Sequence, residues 1–371
     1  MSDSKRLLLA SLIAAATAAA IPAPAAAAAA SRGDASRSGA VYVLANQAAG
    51  NAVLVYTRAA DGTLTPAGSV PTGGLGGGGL GGDPLASQGA VTLAGNYLFA
   101  VNAGSNDVSL FSVKGDRLVL VDRQPSGGEF PVSIAVHDAR VYVLNAGGTP
   151  NISGFRLDES HGRLTPLAGS QRPLAGGTAA RPAEVAFSPD GGALLVSEKG
   201  TQTIDSYTVD EQGYASNPTA HASSGVTPFG FSVTRRGYAV FSEAGSGAAS
   251  SYDIGADGGL QLVTGSVALG QAAPCWLVTT ADGRTAYTAN AGSGSISRLS
   301  VARDGSLSLV DPVAGVLAAP LDLALTADSR FLYVREGNGA IGGFKVGTDG
   351  SLVSLGAWAG VPAGAQGIAA R

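Results

Sequence analysis

The chain has 371 residues, a net charge of −4, three histidines and a single cysteine. One cysteine excludes an intramolecular disulfide, and no basic stripe is present to favour a nucleic-acid partner. Charged residues make up only 13% of the chain against 55 glycines, a balance that suits tightly turned β-structure rather than helices.

Residues 1–30 begin with Lys5 and Arg6, continue through an apolar stretch and end in alternating small residues. This is the pattern of a secretory signal with an Ala-x-Ala cleavage zone between Ala23 and Ala30. A membrane anchor is the alternative, but Pro22 and Pro24 end the apolar run after about 15 residues, short for a span. The protein is therefore expected to be secreted or periplasmic, with no membrane contact after cleavage. Residues 31–39 read as a flexible leader.

From residue 40 onward one unit is repeated. A strand ending in Asn or Glu recurs seven times, closing on Asn46, Asn102, Asn145, Glu198, Glu243, Asn290 and Glu336. Upstream of it lies an apolar stretch with a proline at its head, at Pro131, Pro182, Pro228, Pro274 and Pro320. "SQGAVT" from Ser87 and "AQGIAA" from Ala365 fill the same slot without proline. We name the proline-headed strand A and the Asn/Glu-ended strand B. "SPDG" (188–191), "TADG" (280–283) and "TADS" (326–329) join them as Asp-Gly type hairpins. Two further strands, C and D, are joined by Asp-Gly turns at Asp61, Asp257, Asp304 and Asp349.

Four antiparallel strands repeated seven times predict an all-β fold, a seven-bladed β-propeller over residues 40–371. The chain opens on a strand B and stops on a strand A, so residues 365–371 should pair beside residues 40–46 and close the ring. "TGGLGGGGLGGD" (72–83) interrupts the pattern before the second blade. It lacks the signature of a phosphate loop and reads as a linker, with a lid over the rim as the alternative.

In such a ring the end of strand B and the start of strand A lie on one face. Two sets of side chains should meet at the channel mouth there. One is the Asn/Glu set; the other includes Glu184, Trp276 and Asp322. Asn102, Asn145 and Asn290 equally suit local turn bonds. Glu184, Glu198, Glu243, Asp322 and Glu336 form an acidic set whose mutual repulsion would raise pKa values, unless Arg181, Lys199 and Arg335 pair with them. No cofactor is expected; calcium would suit carboxylates, but no spaced ligand motif supports it. Phe229 and Trp276 could stack on a ligand or simply pack. Cys275 lacks a histidine partner at the mouth, and no Ser-His-Asp set assembles.

"FSPDG" (187–191), "LLVSEKG" (194–200), "YTANAG" (287–292) and "DGSL" (304–307) together resemble the seven-bladed propeller lactonase family. That family is associated with 6-phosphogluconolactonase and carboxymuconate-lactonizing enzymes. Residues 227–297 resemble its exported members. The sugar-phosphate members carry Arg/His pairs at the start of an inner strand; here "ARPAEV" keeps Arg181 and sets Glu184 in place of a basic partner. An acidic mouth would repel a phosphate. The resemblance thus implies a hydrolase of a neutral lactone or related cyclic ester, acting as a monomer on a small molecule. Glu184, Glu243 or Glu198 would activate water, and Arg181 or an asparagine amide would hold the oxyanion. Trp276, Phe229, Asp322, Glu336, Asn102, Asn145 and Asn290 would bind substrate. A non-catalytic binding propeller and a lactonizing enzyme are the alternatives.

Overall fold

The computed structural model describes residues 38–79, 82–115 and 117–371. The expected signal segment 1–30 and the first part of the leader lie outside the described residues. Seven four-stranded antiparallel sheets form the blades, and the third carries an extra short strand, Arg172–Pro173. Blade 1 takes strand A from Gln366–Ala370 and strands B, C and D from Gly39–Leu44, Ala52–Arg58 and Leu64–Pro71. Blades 2 to 7 follow in chain order. Their strands A are Val91–Ala94, Glu129–His137, Pro182–Phe187, Pro228–Val233, Pro274–Thr279 and Pro320–Leu325. Their strands B are Tyr97–Asn102, Arg140–Gly147, Ala193–Glu198, Tyr238–Glu243, Thr285–Asn290 and Phe331–Glu336.

The ring closes as the sequence predicts: Val41 pairs with Ala370, Tyr42 with Ala369 and Val43 with Ile368. Each strand A touches the strand A of the next blade all the way round. The seam between first and last blade therefore leaves no open inner edge.

The core lies between blades, not within them. Strand B of blade 4 is buried along its whole length, whereas strand D of blade 7, Leu352–Ala359, is mostly exposed. A strand covered on both faces needs a continuous apolar run; one at the rim tolerates polar positions. Buried tyrosines on strand B latch one blade to the next. Tyr142 donates to the carbonyl of Gly213 at 2.8 Å, Tyr287 to that of Gly350 at 2.7 Å and Tyr333 to that of Gly62 at 2.6 Å. Each acceptor sits in the C–D turn of the following blade. The ring stays apolar while its hydroxyl is satisfied, so burying each tyrosine stabilises by about 2 kcal/mol or more. The Asp-Gly turns form as read: Asp61, Asp304 and Asp349 each accept from the backbone and hydroxyl of the residue two positions on.

The described part of the glycine-rich stretch, residues 72–79, is not a free linker. Its backbone is bonded to the upper ends of blades 1 and 2, with Gly76 donating to the carbonyl of Gln47 and Gly104 to that of Leu75. A side chain at Gly76 would meet the backbone of Asn46 at 2.2 Å, so close approach of the two backbones explains why glycine stands there. Among the described residues no helix is long and apolar enough to cross a membrane.

Candidate functional site

Strand A is the innermost strand, so its channel-side N–H and C=O groups have no strand partner. The backbone enters it by a repeated kink. The residue before the proline position, or before Ser87 in blade 2, is left-handed in six blades: Ala86, Phe130, Arg181, Thr227, Ala273 and Ala319 have φ of 50°, 55°, 47°, 61°, 52° and 55°. Each costs about 1 kcal/mol or more for a residue with a Cβ. Their carbonyls recover part of this by accepting from the residue after strand B, as Thr227 does from Ala244 at 2.9 Å and Ala273 from Ala291 at 2.9 Å. Because the strain recurs around the ring, it belongs to the architecture and does not single out a reactive residue. In blades 3 to 7 a β-bulge follows at once, and in blades 4 and 7 it accompanies the turn of Glu184 and Asp322 toward the axis.

Those side chains complete the unpaired inner edges. The Gln88 amide reaches across the channel. Its Nε2 donates to Glu184 Oε1 at 3.2 Å and to the Leu277 carbonyl at 2.8 Å, while its oxygen accepts from Leu277 N at 3.0 Å. Glu184 Oε2 accepts from Phe231 N at 2.6 Å. Asp322 accepts from Leu323 N at 2.8 Å and from the backbone of Ile368. Burial pushes the Glu184 carboxyl well above its ordinary value, and Asp322 nearby adds to this. Burial likewise pushes Asp322 up to about 8. Both shifts favour the protonated acid, which works against the anionic funnel the sequence suggests.

The Asn/Glu set does not reach the channel. Its members bond side chains or backbone of their own blade or of an adjoining segment, as Asn46 does with Gly77 N at 2.8 Å and the Gly364 carbonyl at 3.1 Å. Asn102 donates to Ser109 Oγ at 2.8 Å and Asp107 Oδ1 at 2.6 Å; Asn145 donates to the Ser126 carbonyl; Asn290 donates to Ser297 Oγ at 2.8 Å. Glu198 accepts from Gly176 N at 3.0 Å and from Thr201, Glu243 from Ser266 Oγ at 2.6 Å, and Glu336 from Ala318 N at 2.8 Å. The expected gathering of Glu198, Glu243 and Glu336 with Glu184 and Asp322 is therefore not formed: side chains alternate along a strand, and the last residue of strand B faces the blade interior.

A different set gathers at the mouth. The segment after the glycine run dips over the channel and carries Asp83 into it. The Asp83 carboxylate accepts from the backbone of Ala86 and Ser87 and lies within charge range of Lys199 and Arg335. Burial pushes it up to about 6, against the pull of both cations. Burial draws Lys199 down to about 8, with Asp83 opposing and Arg181 assisting. Lys199 Nζ bonds the carbonyls of Ala86 and Pro182, and Arg335 Nη1 bonds that of Gly82 at 2.6 Å. Asp83 Oδ1 and Arg335 Nε are buried without a hydrogen-bond partner among the described residues. Arg181 is exposed beside this group.

Phe229 and Trp276 pack edge to face with centroids 5.2 Å apart, and Trp276 Nε1 donates to the Ser87 carbonyl at 2.9 Å. Both are buried, and Lys199 lies 4.6 Å above the Phe229 ring. They form the floor under the cations rather than an exposed stacking platform. Burial pushes the Cys275 thiol up to about 12, which leaves it a poor nucleophile. A serine–histidine contact exists elsewhere: Ser206 Oγ lies 2.8 Å from His221 Nε2 on the outer half of blade 4, where Ser206 is buried. Among the described residues no group of three or more His, Cys, Asp and Glu is placed to hold a metal ion.

The sequence offered little sign of Asp83 and Gln88. "SQG" was legible as a strand A without proline, yet not that its glutamine would span the axis. Asp83 stood only at the end of a glycine run.

A family model described as "Lactonase, 7-bladed beta-propeller" matches residues 40–175 and 229–316. No curated protein matches the sequence. A crystal structure of a protein from Lactobacillus plantarum superposes with a TM-score of 0.72 at 17% identity, covering 90% of this chain and 99% of that one. A Bacteroides fragilis protein provisionally named a 6-phosphogluconolactonase gives 0.67 at 16% identity, over 90% and 98% of the two chains. The periplasmic gluconolactonase of Pseudomonas aeruginosa gives 0.54 at 18%, over 87% and 83%. At these identities the likeness is one of fold.

Proposed function

Because the chain belongs to the seven-bladed β-propeller lactonase family, we propose that it hydrolyses a lactone at the mouth formed by Asp83, Lys199, Arg335 and Arg181. The observation that carries this reading is the incomplete pairing of Asp83 Oδ1 and Arg335 Nε, an acid and a cation within charge range of each other. An acid titrating near 6 is poised to act as a base at neutral pH.

Asp83 takes a proton from water as the water oxygen adds to the lactone carbonyl. Negative charge then develops on the carbonyl oxygen, where Arg335 and Lys199 stabilise it. Collapse breaks the ring C–O bond, and the departing ring oxygen receives the proton that Asp83 holds. Glu184 sits beneath and keeps blades 4, 5 and 2 in register through Phe231 and Gln88. Arg181 at the rim would meet the substrate first.

The charge balance bears on the substrate. Lys199, Arg335 and Arg181 gather around the Asp83 carboxylate, while burial disfavours the charged forms of Glu184 and Asp322. This weakens the repulsion expected to favour a neutral lactone, so carboxylated and neutral lactones both belong in the test. Export through residues 1–30 is part of this proposal and would set the reaction outside the cytoplasm.

The test is a panel of neutral, carboxylated and phosphorylated lactones with the wild type, Asp83→Asn, Lys199→Met and Glu243→Gln. Hydrolysis by the wild type, cut about 100-fold or more by Asp83→Asn and left intact by Glu243→Gln, is the expected result. Absence of turnover on every lactone overturns it.

A further inference from the structure

The far end of the channel holds a second concavity, at the ends of the inner strands rather than their starts. Its volume is about 480 Å³, and its wall draws on strands A of blades 1, 2, 5, 6 and 7. Only the axis is common to five inner strands, so this is the opposite mouth of the ring. That size falls within the range of small-molecule sites.

The wall mixes apolar with polar surface and is partly open to solvent, with Leu93, Val278 and Leu325 each partly buried against the core and partly exposed. Apolar side chains left open in a concave site mark a place for an apolar ligand. The hydroxyls are already ordered: Thr92 Oγ1 donates to the Ile134 carbonyl at 2.8 Å, and Ser232 Oγ lies 2.7 Å from Thr279 Oγ1. Arg371 is the one residue on the wall with a charged side chain, and the α-carboxyl oxygen it carries as the last residue of the sequence is met by Arg58 Nε at 3.0 Å. Its backbone is anchored, with N donating to the Ala40 carbonyl at 2.9 Å. Its guanidinium makes no ion pair among the described residues, and no carboxylate side chain shares the wall.

We propose that this vestibule binds a small amphiphilic carboxylate, its apolar body against Leu93, Val278 and Leu325 and its carboxylate on Arg371. The site is separate from the proposed lactone site, since the layer of Gln88, Glu184 and Leu277 crosses the channel between them.

Three probes of equal chain length separate charge from apolar contact: octanoate, octan-1-ol and octyltrimethylammonium, titrated calorimetrically below their micelle concentrations. Octanoate should bind about tenfold more tightly than the other two, the size of one charge-assisted hydrogen bond. Arg371→Glu should erase that preference. Ala324→Trp should abolish binding of all three by filling the vestibule. Should that variant fail to fold, Arg371→Glu decides alone, being an exposed position. Equal affinities for the three probes, no octanoate binding, or a preference untouched by Arg371→Glu overturns the proposal. Lys199→Met should leave octanoate affinity unchanged, and Arg371→Glu should leave lactone turnover unchanged, so the two proposals fail separately.

Discussion

Gln88 of blade 2 crosses the axis of the ring and donates from Nε2 to Glu184 Oε1 of blade 4 at 3.2 Å. The same amide bonds both backbone groups of Leu277 in blade 6. One side chain thus serves three blades whose inner edges have no strand to pair with.

Replacing Gln88 by Ala should therefore be costly. It strands the Leu277 N–H and C=O and one oxygen of Glu184, each a buried polar group worth about 1 kcal/mol or more when left unpaired. The expected loss is about 2–4 kcal/mol in urea unfolding. Gly230→Ala offers a partner experiment, because its Cβ would meet Gln88 Oε1 at 2.1 Å. It should destabilise the wild type more than it destabilises Gln88→Ala. Equal effects in both backgrounds would show that the amide does not occupy the axis.

The buried acids give stability a pH dependence of definite sign. Asp322 holds its proton up to about 8 in the folded chain, far above its value when unfolded. The folded state binds that proton more tightly, so the contribution is complete below the unfolded value and lost as pH rises through about 8. The melting temperature should fall between about pH 4 and pH 8. Asp322→Asn should remove part of the fall, and Glu184→Gln another part, as burial shifts it the same way. A flat profile in the wild type would contradict the assignment of neutral acids.

Glu198, Glu243 and Glu336 should behave as structural residues. Each accepts from its own blade or the connector that enters it, so changing one to Gln replaces a charge-assisted bond by a neutral one. About 1 kcal/mol of stability should be lost per site, measured by chemical denaturation, with lactone turnover within about twofold of wild type. A large activity loss in Glu243→Gln without a stability loss would return that residue to the reaction.

The architecture was legible because it is written many times. Seven Asn/Glu-ended strands, five prolines and four Asp-Gly turns each carry the same period, and the pairing of Val43 with Ile368 follows from where the first and last strands fall. The site was less legible because it depends on where a side chain points. Blade 4 places one more residue on strand A than on strand B between the pairs Pro182–Glu198 and Val185–Val196. That bulge sends Glu184 to the axis, while Glu198 keeps the ordinary alternation and faces inward to its blade. Asp83 depends on neither rule. Its position follows from how a run of glycines lies against Asn46 and Gln47, a tertiary contact that no local pattern announces.

Asp83 and Lys199 set the expected pH profile of turnover. Burial raises the acid to about 6 and lowers the amine to about 8. As a base Asp83 must be ionised, so the rate should climb as pH rises through about 6. As a cation beside the oxyanion Lys199 must be protonated, so the rate should decline above about 8. The profile of kcat/KM is then bell-shaped with a plateau near pH 7. Asp83→Asn should abolish the acidic limb along with most of the activity. Lys199→Arg should move the alkaline limb upward, because a guanidinium stays charged throughout this range. Since the two groups interact, the limbs report the pair and not either residue alone. An acidic limb that survives in Asp83→Asn, at undiminished rate, would assign the base to another group and remove the mouth from the chemistry.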